Sequence, residues 1–106
     1  MSVIDTVNRV LSKLDPNYLV SEVGGRKVFQ FLTEEPFYVI LKPEAVSVLR
    51  GVANLSDVEV EGPSSVLEDV VLGKLSPVDA VLNGTLKVKG DLTSAGKLVA
   101  VVRRAM

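Results

Sequence analysis

The chain has 106 residues, with 12 Lys and Arg against 13 Asp and Glu, and neither cysteine nor histidine. A formal charge of −1 offers no concentrated basic face for nucleic acid, and the lack of His and Cys removes the Ser-His and Cys-His nucleophile arrangements and the commonest transition-metal ligands. Apolar residues make up 47% and aromatics only 5%, with a mean hydropathy of +0.35, so the apolar content is largely Val and Leu.

Residues 2–14 read as an amphipathic helix, with Val3, Val7, Val10, Leu11 and Leu14 at helical spacing and Ile4 widening the stripe. Asp15-Pro16-Asn17 stops it. Tyr18 to Val23 fits helix or strand. After the Gly24-Gly25 turn, Arg26 to Thr33 alternates as a strand, with Phe29 and Phe31 on one face and Val28, Gln30 and Leu32 on the other. Phe37 to Lys42 is apolar on both faces, the pattern of a strand inside a sheet or covered on its back. Ala45 to Val52 reads as a third strand by β-propensity, with a helix as its rival.

Asp57 to Glu61 is a short half-buried strand. Ser64 or Ser65 caps a helix running to about Leu72, and Gly73 ends it. Ser76 then caps a further helix that has Pro77 in its first position and Asp79 as the capping-box acid. Asn83-Gly84 stops that helix. Thr85 to Lys89 alternates as a strand, and Asp91 caps a final helix lined by Leu92, Ala95, Leu98, Val99 and Val102. The order is α+β: one mostly antiparallel sheet with helices gathered on one face, in a single domain over 1–106. Val58 and Val60 alternate with Glu59 and Glu61, as Leu86 and Val88 do with Lys87 and Lys89. Neighbouring strands would set these glutamates beside these lysines. Because helices join the two strands, they are expected to be parallel.

No run approaches the roughly 18 apolar residues of a membrane-spanning helix, and the N-terminus lacks a signal-peptide pattern. With no disulfide framework, the expectation is a cytoplasmic protein. The carboxylates fall on solvent-facing strand positions, turns and caps, so no catalytic or metal-binding set emerges. Gly24-Gly25-Arg26-Lys27 lacks the glycine pattern of a phosphate loop. The surplus of aliphatic surface is the remaining signal, since a sheet covered by amphipathic helices can enclose an apolar pocket. A dry pocket of roughly 300 Å³ would cost about 7 kcal/mol on the core-truncation scale. Such a protein is therefore expected to be looser without its ligand.

Several landmarks carry a family resemblance: Asp57-Val58-Glu59-Val60, then Leu72-Gly73-Lys74-Leu75-Ser76-Pro77, Ala80, and Asn83-Gly84-Thr85-Leu86-Lys87-Val88-Lys89-Gly90-Asp91. In these the chain resembles the sterol carrier protein type-two family of lipid-transfer domains, with its "G-K-L-x-P" turn and its "G-x-L-K-x-x-G-[DN]" strand. The resemblance implies a five-stranded sheet covered by helices, with an apolar tunnel between them. It implies binding, without catalysis or cofactor, of a sterol, fatty acid, fatty acyl-CoA or phospholipid. By position, the tunnel lining would be Phe29, Phe31, Val39, Leu41, Leu67, Val71, Leu82, Leu86, Val88, Leu98 and Val102, each of which also suits plain core. Leu82, Leu86 and Val88 would form the rear wall, with Lys87 and Lys89 in water. The expected partners are a hydrophobic lipid and, transiently, a membrane surface. The alternative is a protein-interaction or homodimerisation module of the same fold, whose apolar face meets protein and which has no lipid cargo.

Overall fold

A computed structural model of the chain describes residues 2–105. Its elements are α1 (Val3–Leu11), α2 (Pro16–Val23), β1 (Lys27–Leu32), β2 (Phe37–Leu41), β3 (Val46–Arg50), β4 (Val58–Glu61), α3 (Ser64–Val71), α4 (Pro77–Leu82), β5 (Lys87–Gly90) and α5 (Leu92–Arg104). The five strands form one sheet in the order β3-β2-β1-β4-β5. Three neighbouring pairs are antiparallel, and β1 with β4 is parallel. The α+β reading therefore holds, and β2, inside the sheet, buries Phe37, Val39 and Leu41 on its core face while Tyr38 and Ile40 on the other are half-buried.

One sheet face carries the core. Phe29 and Phe31 of β1 stand opposite Val39 and Phe37 of β2 on one side, and opposite Val58 and Val60 of β4 on the other. The rings of Phe31 and Phe37 stack with centroids 4.8 Å apart. Against this face pack Val3, Ile4, Val7 and Leu11 of α1, Leu19 and Val23 of α2, Leu67 of α3, and Leu98 and Val101 of α5. The stripe read from the sequence is thus the buried face of α1, although the helix ends at Leu11 and residues 12–14 form a turn.

The Asp15-Pro16-Asn17 stop is also a start. The Asp15 side chain accepts a hydrogen bond from the Asn17 N–H, Pro16 takes the first helical position, and the ambiguous stretch becomes α2. Its Leu19 and Val23, four residues apart, are fully buried. Neither Ser64 nor Ser65 caps α3. The cap position is Pro63, which has no side chain able to serve. Glu34, from the β1–β2 turn, takes the role instead, accepting from the Ser64 N–H at 2.8 Å. That bond holds the Glu34 carboxyl below the usual carboxylate range.

Strands β4 and β5 are neighbours, as the charge pattern implied, with Glu59 opposite Lys89 and Glu61 opposite Lys87. Their direction corrects the expectation, for they are antiparallel. A single crossover helix delivers the chain to the far end of a sheet. Here α3 and α4 double back, so the chain re-enters at Lys87, opposite the residue where it left. Gly90 closes β5 at φ +94°, and a Cβ there would lie 2.2 Å from the Asp57 carbonyl oxygen. Behind the sheet, the chain from Gly51 to Asp57 crosses from the β3 edge to β4. It is tied by hydrogen bonds from Ala53 N–H to Gln30 Oε1 and from Asp57 N–H to the Val28 carbonyl, each 2.8 Å.

Candidate functional site

Two apolar cavities lie between the core face of the sheet and the helices. The larger encloses about 430 Å³. Its floor is Phe29 and Phe31 of β1, Val60 of β4, Leu86, and Val88 of β5. Leu67 and Val70 of α3 form one side. Its roof is Pro77, Val78, Val81 and Leu82 of α4 with Leu92, Ala95, Gly96, Leu98 and Val99 of α5. Every lining residue is apolar. The smaller cavity, about 70 Å³, lies between α1, α3 and the C-terminal half of α5. The two share a wall of Phe31, Leu67, Val70, Leu98 and Val99. Arg103, at the edge of the smaller chamber, is the one charged residue lining either among the described residues.

Two roof elements are held very differently. The first turn of α5 is anchored on three sides. Asp91 caps it by accepting from the Ser94 N–H at 3.1 Å and the Ser94 hydroxyl at 2.7 Å. The Lys27 ammonium lies 3.3 Å from the same carboxylate. The Ser94 hydroxyl is also within 3.1 Å of the Val23 carbonyl on α2. The Ser94 hydroxyl, then its N–H, and to a lesser degree Lys27, bring the Asp91 pKa down to about 2. By contrast, Ser76 sits at the start of α4 without making the capping hydrogen bond expected of it. One residue of α4, Ala80, is buried, packed with Val70 and Leu86. Its carbonyl accepts from the Leu86 N–H and the Thr85 hydroxyl, both at 3.1 Å. Glycines in left-handed conformation bracket the helix, Gly73 at φ 77° and Gly84 at φ 81°.

Of the eleven residues named from sequence, Phe29, Phe31, Leu67, Leu82, Leu86, Val88 and Leu98 line the larger cavity, and Val39, Val71 and Val102 line the smaller. Leu41 lines neither. It is fully buried in the solid core with Leu19 and Val23. Leu82 is also not a rear-wall residue, being 79% exposed at the mouth with Val78, Val81 and Leu92. Segment 75–91 therefore supplies the rim and roof as well as the wall. The lining residues missed include the rim positions Val78, Val81 and Leu92, the wall positions Val60, Val70 and Gly96, and Arg103. Leu92 was legible as part of the apolar side of the final helix, and the pairing of Val78 with Val81 and Leu82 on so short a helix was the trace of the rest of the rim.

Fold and cavity together define a helix-covered sheet that encloses an apolar compartment. The chain belongs to the SCP-2 sterol transfer family, whose model matches residues 8–103. Membership places it, in general terms, among lipid-binding or lipid-transfer domains. Stomatin-like protein 1 of Homo sapiens is 37% identical over 90 residues, which cover 80% of this chain and 23% of that protein. This chain thus spans about a quarter of that relative. Among solved structures, sterol carrier protein domain 2 of Helicoverpa armigera superposes with a TM-score of 0.76 at 21% identity, covering 96% of this chain and 84% of that one. Palmitated SCP2L2 from Aedes aegypti superposes at 0.62 and 24%, covering 96% and 95%. The sec-alkylsulfatase Pisa1 from Pseudomonas sp. matches at 0.70 and 21%, over 82% of this chain but 14% of the enzyme, so the fold also occurs as a small part of a larger protein. No helix among the described residues is long and apolar enough to cross a membrane.

Proposed function

We propose that this domain binds a single-chain lipid in the larger cavity and carries it without chemical change. The observation behind this reading is an opening of about 430 Å³ walled entirely by hydrocarbon side chains. An apolar cavity of about 150 Å³ accommodates benzene, so on that scale the opening holds roughly seventeen carbon atoms. That is the size of one long acyl chain and too small for a diacyl phospholipid. The SCP2L2 structure from Aedes aegypti is of the palmitated protein, and palmitate is a lipid of this class. Aliphatic walls select length and width, and the lining offers no nucleophile or acid–base pair. The exposed Val78, Val81, Leu82 and Leu92 at the mouth suit transient contact with a bilayer, from which cargo would enter.

Gly96 provides the test. It lies on the α5 wall of the cavity, and a Cβ added there meets nothing within 4 Å. Gly96→Leu places a branched side chain in the cavity while removing a helix-interior glycine, a change worth up to about 1 kcal/mol in favour of folding. The variant should fold at least as well as the parent, yet lose hexadecanoic acid binding in titration calorimetry. Unchanged affinity would contradict the assignment of this cavity.

The same exposed rim also supports a second reading, a face for a second copy of the chain with no lipid cargo. Native mass spectrometry of freshly purified protein separates the two readings. A retained lipid mass on the monomer supports the first, and a clean dimer without adduct supports the second.

A further inference from the structure

Among the described residues, Arg103 supplies the one polar side chain that either chamber offers to the charged end of a lipid. Arg103 follows Val99 by one helical turn, about 6 Å along the axis, and Val99 lines both chambers. Side chains on a helix tilt toward its N-terminus, so the Arg103 stem leans back over Val99, toward the shared wall. Its methylenes can cover the apolar edge while the guanidinium stays in water.

The charges around it leave this arginine uncommitted. Arg104, next in sequence, pairs with Glu22 at 2.8 Å. On α3, Glu68 accepts the Thr6 hydroxyl at 2.9 Å. Arg103 makes no ion pair among the described residues. The wider charge pattern points the same way. Residues 74–106, which include the α4–α5 roof, hold six basic residues against Asp79 and Asp91, a net charge of +4, while residues 1–73 carry six basic against eleven acidic, a net charge of −5.

We propose that Arg103, at the edge of the smaller chamber beside the wall it shares with the larger, seats the carboxylate of the bound single-chain lipid, making a free fatty acid the preferred cargo over its neutral derivatives. This rests on the lipid-binding reading above. A guanidinium offers paired donors in the fork geometry that suits a carboxylate, and a neutral ester gains much less from them.

The test compares hexadecanoic acid with methyl hexadecanoate on the wild-type chain and on Arg103→Met and Arg103→Lys, by titration calorimetry at neutral pH. Methionine keeps the apolar stem and removes the charge. Arg103→Met should weaken hexadecanoic acid about tenfold, the effect of losing one modest charge-assisted contact. Methyl hexadecanoate should bind that variant as it binds the wild type, and Arg103→Lys should recover part of the loss. Equal weakening of acid and ester would reduce Arg103 to a packing residue, and no weakening of either would remove it from the site. A wild-type chain that binds both ligands equally overturns the carboxylate seat and leaves the cavity reading standing. One that binds neither overturns both. Matching melting curves for Arg103→Met and wild type, expected for an exposed position, show that the comparison is between folded proteins.

Discussion

Gln30 shows where residue type alone misleads. Alternation placed it behind the sheet beside Val28 and Leu32, and the face is right, but a glutamine there reads as solvent-facing. It is instead 3% exposed. Its amide nitrogen donates to the carbonyls of Phe37 and Gly51 at 3.0 and 3.1 Å, and its oxygen accepts from Ala53. A side chain that satisfies a crossing segment looks like an ordinary polar residue until the segment's path is known. Asp91, by contrast, was legible as a cap, because helix N-termini need an acceptor at that position. Its depressed pKa gives a prediction whose sign is fixed. The ionised form stabilises the fold, so the contribution is present above the ordinary value of 3.8 and is lost as pH falls through about 2. Asp91→Asn can keep a capping oxygen but not the charge. It should melt below the wild type at pH 7, and the gap should close toward pH 2. A gap that stays constant across that range in thermal melts would assign the effect to packing.

Among the elements, the punctuated segment 75–91 was read correctly in kind and incorrectly in place. Caps, stops and alternation are local signals, and they located α4, β5 and the start of α5 to within about two residues. Which way β5 runs and which side α4 turns to water depend on how two short helices double back, and no local pattern records that. The exposed edge of α4 and the buried residue beneath it should therefore respond oppositely to mutation. Leu86 is 4% exposed and packs on Ala80 and Val70. Leu86→Ala should cost about 3 kcal/mol in urea unfolding, as expected for a large-to-small core change. Leu82→Asp, at the open mouth, should stay within about 0.5 kcal/mol of wild type. That second variant should nevertheless slow the uptake of hexadecanoic acid from phospholipid vesicles, because it puts a charge on the rim. If Leu82→Asp destabilised the fold as much as Leu86→Ala, α4 would be a fixed part of the core and not a loosely held rim.

For the whole molecule, the cavity decides the energetics. The sequence foretold it indirectly, as more aliphatic surface than a two-layer domain of this size needs, but could not give its volume or its mouth. On the core-truncation scale an empty space of about 430 Å³ would cost roughly 10 kcal/mol, which is of the same order as the total stability of a small domain. That figure is an upper bound here, since the cavity opens to solvent between α4 and α5 and α4 can settle inward on its single buried residue. Either way, the ligand-free state lacks contacts that a filled state has, and a ligand that binds only the folded chain must raise its stability. At a free concentration a hundredfold above Kd the gain is about 2.7 kcal/mol. For a chain of this length that corresponds to a rise in Tm of roughly 10 °C. Delipidated protein titrated with hexadecanoic acid in a melting assay should show that rise, and the Gly96→Leu variant should show little of it while starting from an equal or higher Tm. A flat response of the wild type would mean that the space closes on itself in solution. The rim of α4 would then be the protein's working surface, and the cavity a by-product of how it is held.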